Sequence, residues 1–107
     1  MGYYSEVVVA VRKDAVESFE SACAELVALA DDRTVFQYDR TEGVAYSWHS
    51  IKWEEDFPEV TAYYRWESAI ASDQYAMVRI GADWDDMERG GYLDCGLCIE
   101  RSISVGW

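Results

Sequence analysis

The pair Cys95-Gly96-Leu97-Cys98 has the spacing that holds a metal or exchanges electrons. A structural zinc site needs about four ligands, commonly two such pairs. Only Cys23 and the single histidine, His49, remain to complete one, and they fall in different expected elements. A redox pair would open a helix, whose dipole lowers the thiol pKa. This pair opens an expected strand, so it reads as two small, half-buried thiols. Asp83, Asp85, Asp86 and Glu88 offer the oxygen ligands that hard cations take. The EF-hand spacing fails there, because Met87 stands where a ligand belongs and Glu88 where the turn needs glycine. The run reads as an exposed acidic turn. His49 could move protons only beside a nucleophile or a carboxylate. No nucleophile elbow, phosphate loop or paired metal motif accompanies it. The sequence therefore predicts no catalytic residue, metal or cofactor, and a protein that is not an enzyme.

The elements that would position these residues follow from pattern. Residues 3–11 read as a strand, with Val7, Val9 and Val11 alternating against Glu6, Val8 and Ala10. Asp14 with Glu17 forms a capping-box pattern, and Val16, Phe19, Cys23, Leu26, Val27 and Ala30 recur at helical spacing. Residues 34–39 and 44–52 read as a hairpin, with Gly43 supplying a positive φ in the turn 40–43. In the second arm Val44, Tyr46 and Trp48 face one way, and Ala45, Ser47, His49 and Ile51 the other. Pro58 suits the first turn of a helix reaching about residue 71, with Val60, Tyr63, Tyr64, Trp66 and Ile70 spread over more than one face. That spread predicts aromatics turned outward. Residues 75–80 form a fourth strand, 83–91 an acidic loop or short helical turn, and 97–105 a last strand with period-two alternation. The order β-α-β-β-α-β predicts a single domain over residues 1–107, an α+β ferredoxin-like two-layer sandwich with an additional C-terminal strand. Right-handed crossovers would set the first and fourth strands side by side. The fifth would extend an edge or pair with a second molecule.

Composition bounds the partners. Of 107 residues, 21 are acidic and 9 basic, for a net charge of −12. Such a surface repels nucleic acid and anionic membranes and attracts basic proteins. No apolar run approaches a membrane span, and no secretory leader is evident. An odd cysteine count fits reduced thiols, which predicts the cytoplasm. Five tryptophans exceed the needs of a small core. Trp53 and Trp84 each sit beside an acidic run, giving an apolar anchor inside a negative surround.

The segments Met1-Gly2-Tyr3-Tyr4-Ser5, Trp48-His49-Ser50-Ile51-Lys52-Trp53, Phe57-Pro58-Glu59-Val60 and Val78-Arg79-Ile80-Gly81 resemble a loose set of short, uncharacterised acidic bacteriophage and prophage proteins. In size, acidity and lack of a catalytic motif the chain also resembles anti-CRISPR proteins, in style only. The first resemblance implies a phage or mobile-element origin; together with the acidic surface, the second leads to the expectation of a phage-type inhibitor in the host bacterial cytoplasm, occupying the basic groove of a nucleic-acid-binding host complex. The alternatives are an immunity or antitoxin protein against a basic nuclease or toxin, or a dimeric phage structural or assembly protein. The expected partner surface comprises Trp53, Glu54, Glu55, Asp56, Glu59, Asp83, Trp84, Asp85, Asp86 and Glu88. No direct contact with nucleic acid or membrane is expected, and a homodimer is left open.

Overall fold

A run of valines decides the centre of the molecule. In β1 (Tyr4–Arg12) Val7, Val9 and Val11 are fully buried on one side, and Val8 and Ala10 are buried on the other. A strand buried on both faces needs neighbours on both edges. β1 has them, pairing antiparallel with β3 (Thr41–Lys52) and β4 (Tyr75–Ile80). A 3-10 turn (Lys13–Ala15), α1 (Val16–Ala22) and α2 (Ala24–Ala28) follow β1 and lead to β2 (Asp32–Tyr38). Then α3 (Pro58–Ala69) joins β3 to β4, and β5 (Met87–Gly91) follows β4. The sheet has five antiparallel strands in the order β2-β3-β1-β4-β5. β6 (Cys98–Ile99) and β7 (Ile103–Ser104) form a separate two-stranded ladder. The computed structural model describes residues 4–38, 40–81, 86–93, 98–99 and 103–104. Among them the architecture is mixed α/β, one five-stranded sheet with three helices, and no helix is long and apolar enough to cross a membrane.

The helices are held by the stripe the sequence carries. Phe19, Cys23 and Leu26 are buried, and Val16, Val27 and Ala30 pack against the same cluster. The expected cap at Asp14 does not form. Asp14 lies inside the 3-10 turn, and α1 starts after Ala15 with no side-chain cap. Cys23, at φ −118° and ψ 38°, breaks the segment into α1 and α2. α3 begins with Pro58 in its first turn, as expected, and buries Val60, Tyr63 and Trp66. Its aromatics Tyr63 and Trp66 thus turn inward rather than outward, because they meet Phe19, Trp53 and Tyr75 edge-on in a ring cluster.

Three local features depart from the alternation read in the sequence. First, β3 carries a bulge. Ser5 lies opposite Ile51 but Val7 opposite Trp48, so two steps along β1 face three along β3. The extra residue flips the parity of the strand beyond Trp48. Ile51 therefore packs against the same core as Val44, Tyr46 and Trp48, and Trp53 is buried there too. Second, the hairpin closes at Tyr38 opposite Thr41, and Gly43 sits inside β3 opposite Phe36. Its role is close approach rather than a turn: a Cβ there would stand 2.1 Å from the Val11 carbonyl oxygen. Third, the fifth strand of the sheet is Met87–Gly91, where an acidic loop was expected, and not residues 97–105. Cys98–Ile99 and Ile103–Ser104 instead fold back on each other. On the sheet face away from the helices, Ala10, Phe36, Ala45, Ala76 and Leu93 make a second, smaller apolar cluster.

Candidate partner-binding surface

The two acidic stretches expected to meet a partner are built differently. The first leaves the end of β3. Glu54, Glu55 and Asp56 are exposed in a turn closed by the Phe57 amide donating to the Glu54 carbonyl at 3.0 Å. The Thr61 hydroxyl donates to the Glu55 carbonyl at 2.6 Å and ties the turn to α3. Glu59 stands half-buried in the first turn of α3, where the helix dipole favours a carboxylate. None of these four carboxylates enters an ion pair with a described residue.

Trp53, expected as an exposed anchor beside them, lies in the core instead. The bulge turns it inward, leaving 9% of it exposed. Its indole N–H donates to the Tyr64 hydroxyl at 2.9 Å, and its ring meets Tyr63 and Tyr64 edge-on. Tyr64 in turn donates to Glu88, 2.8 Å from Oε2. Burial, foremost, pushes the Tyr64 hydroxyl well above the ordinary tyrosine range, with the Trp53 bond opposing the rise and Glu88 adding to it.

The second stretch is neutralised from within. Arg79 of β4 donates through Nε to Glu88 at 3.0 Å, through Nη2 to Asp86 at 2.9 Å and through Nη1 to the buried Ser5 hydroxyl at 3.0 Å. Burial disfavours the guanidinium charge, but Asp86 and Glu88 outweigh it and raise the Arg79 pKa. Asp86 and Glu88 therefore serve the β4–β5 hairpin and are not free counter-charges. Asp83, Trp84 and Asp85 lie outside the described residues.

Acids that the sequence reading left out extend the first stretch. Glu17 and Glu25 project from the outer side of α1 and α2, and neither is ion-paired among the described residues. A groove of about 210 Å³ between α2 and α3 is lined by Ala22, Ala24 and Ala62 and by both Glu25 and Glu59. The signal was present as the polar side of the helical stripe, opposite Phe19, Cys23 and Leu26. Glu20 differs, because Arg33 at 2.9 Å and the Tyr46 hydroxyl at 2.6 Å both donate to it. The Tyr46 bond, then Arg33, hold its carboxyl below the usual range.

The other reactive residues are engaged structurally. His49 sits in the bulge with Nε2 2.9 Å from Asp32, while its amide donates to Asp31 at 2.7 Å. Ser47 donates to the same Asp32 oxygen at 3.3 Å. The carboxylate thus stands between the hydroxyl and the imidazole, and His49 does not act on Ser47 as a base would. Burial pushes the Cys23 thiol up to about 11. Among the described residues no three His, Cys, Asp or Glu side chains gather as metal ligands. Cys95 and Trp107 lie outside the described residues, as does the side chain of Cys98.

The chain matches no protein family, no curated protein and no solved structure.

Proposed function

We propose that the chain is a phage-type inhibitor whose acidic outer layer occupies the basic groove of a nucleic-acid-binding host complex. The observation that carries this reading is the exposed run Glu54-Glu55-Asp56, without an ion pair among the described residues, which continues through Glu59 to Glu25 across the α2–α3 groove. A groove built for nucleic acid expects phosphate charges every ~1.7 Å of duplex axis. Same-face residues on one strand stand about 6.6 Å apart, too sparse to imitate that spacing. Carboxylates drawn from a turn, the start of α3 and α2 suit it better. The net charge of −12 favours fast, salt-sensitive association with a basic surface. The order β-α-β-β-α-β, with β2-β3-β1-β4 as consecutive neighbours, supports a ferredoxin-like reading of the fold. That fold serves many functions, so it leaves the partner to the surface.

The test is capture of host complexes at low and high salt by the wild type and by the variant Glu54→Gln, Glu55→Gln, Asp56→Asn, Glu59→Gln. The expected result is a nucleic-acid-binding complex that salt releases, that loses its own nucleic-acid binding when the protein is added, and that the folded variant captures at least tenfold less well. Capture of the complex by the variant at wild-type strength overturns the assignment. A basic nuclease or toxin without a nucleic-acid-guided complex would move the reading to an immunity protein.

A further inference from the structure

The turn that carries Glu54, Glu55 and Asp56 is fixed at three points. Before it, Trp53 is buried and its indole N–H donates to the Tyr64 hydroxyl at 2.9 Å. After it, Phe57 packs against the main core, and its amide closes the turn on the Glu54 carbonyl at 3.0 Å. Between these ends, the Thr61 hydroxyl donates at 2.6 Å to the carbonyl of Glu55, six positions back in the chain. The Phe57 carbonyl also accepts from the amides of Val60 and Thr61, at 3.0 and 2.9 Å, and so joins the turn directly to α3.

Threonine is a weak helix former, and inside a helix its hydroxyl commonly turns back to a carbonyl of the preceding turn. The Thr61 hydroxyl does otherwise. Helix α3 begins at Pro58, so the Glu55 carbonyl lies outside it, and the bond runs from the helix to the acidic turn. What that bond holds in place is unfavourable for the fold by itself. Three successive carboxylates repel one another, and none of them meets a base among the described residues. A loose turn would relax by spreading them. A backbone tied at both ends and in the middle keeps them on one frame.

Building on the inhibitor reading, we propose that Thr61 is a positioning residue for the partner surface, its bond to the Glu55 carbonyl holding the acidic turn in the shape that meets a basic groove. A turn already ordered in the free protein spares the complex the cost of ordering it. Thr61 carries no charge, so its loss separates the shape of the surface from its electrostatics.

The test measures association and dissociation rates, over a range of salt, with a helix-forming peptide of alanine and arginine whose guanidinium groups have a set spacing. The proteins compared are the wild type, Thr61→Val, Thr61→Ser and the triple variant Glu54→Gln, Glu55→Gln, Asp56→Asn. Thr61→Val keeps the side chain's outline and every charge. It should bind about three- to tenfold more weakly, the scale of the ordering cost that a fixed turn avoids. The loss should lie chiefly in faster dissociation, with the salt dependence of the wild type retained because the charges are the same. Hydrogen exchange at the Phe57 amide should quicken in the same variant, as the turn loosens. Thr61→Ser restores a hydroxyl and should recover most of the affinity. The triple variant should lose affinity and part of its salt dependence together. A Thr61→Val protein that is less stable to urea yet binds like the wild type overturns the proposal while the triple variant still supports the inhibitor surface. A loss that Thr61→Ser does not recover overturns it too. If the triple variant binds as tightly as the wild type, the acidic turn is not the surface, and both the inhibitor site and the role of Thr61 fall.

Discussion

Glu54-Glu55-Asp56 and Asp86-Met87-Glu88 look alike in the sequence: each is a short acidic run near an aromatic side chain. Their surroundings separate them. The first run leaves a strand into solvent and meets no base among the described residues. The second runs into β5 so that Glu88 lies opposite Arg79, and the guanidinium takes both carboxylates. Acidity alone does not make a counter-charge for a partner. What decides is whether a buried base within the same fold reaches the carboxylate first.

Arg79 is the residue on which this difference depends most, and its loss carries the largest expected effect. Its side chain is 14% exposed, whereas Asp86 and Glu88 keep 32% and 31%. Removing a largely buried base takes one shared donor from Asp86, Glu88 and the Ser5 hydroxyl, while Glu88 keeps the Tyr64 bond and both carboxylates retain contact with water. Arg79→Met should destabilise the domain by about 3 kcal/mol, the low end for breaking a buried pair. Urea unfolding measures it. A change below about 1 kcal/mol, the surface-pair range, would mean the second run is no more tied down than the first.

Alkaline titration separates the regions next. Burial raises Cys23 from 9.0 to about 11 and Tyr75 from 10.0 to about 12, and it raises Tyr64 as well. In each case the native state holds its proton after the unfolded chain has released it. The unfolded state then binds fewer protons, so stability falls as pH rises. The contribution is intact below about pH 9 and declines through the window from 9 to 11 set by Cys23, with the tyrosines extending it upward. Tyr64 ties this to the comparison, since its ionisation would place an anion beside Glu88 and remove the donor from that bond. Urea midpoints that stay level across the window would show these groups are not held as the packing implies.

Parts of this arrangement were legible in the sequence. Strand β4 falls on residues 75–80 as read, because Tyr75, Met77 and Val78 suit a buried strand. The stripe from Val16 to Ala30 enters the core as spaced. What was missed depends on tertiary contact. Met87-Glu88-Arg89-Gly90-Gly91 has no β-branched residue, and its strand character comes from pairing with β4. Gly90 is admitted by the Glu67 carboxylate, which a Cβ there would approach to 2.7 Å. The bulge in β3, opposite the step from Ser5 to Val7, leaves no mark in composition, yet it moves Trp53 from an expected anchor to the core. Glu17 and Glu25 were visible as the polar side of a helix, but only the packing of α2 on α3 brings Glu25 to the same groove as Glu59.

The smallest expected effect is the most demanding test of the comparison. Neutralising Glu54, Glu55 and Asp56 together should change stability by no more than about 0.5 kcal/mol per site, the range for surface positions without a structural partner. The sign should be toward greater stability, because removing adjacent like charges from a chain of net charge −12 relieves repulsion. Glu59 should behave oppositely. It lies in the first turn of α3, at the positive end of the helix dipole, so Glu59→Gln should lose about 0.3–1 kcal/mol. Urea unfolding at low salt resolves both, and added salt should shrink both toward zero. A triple variant destabilised by more than about 1.5 kcal/mol, the sum of that surface range over its sites, would mean these carboxylates hold the turn together. The two acidic runs would then be alike after all, each serving its own fold before any partner.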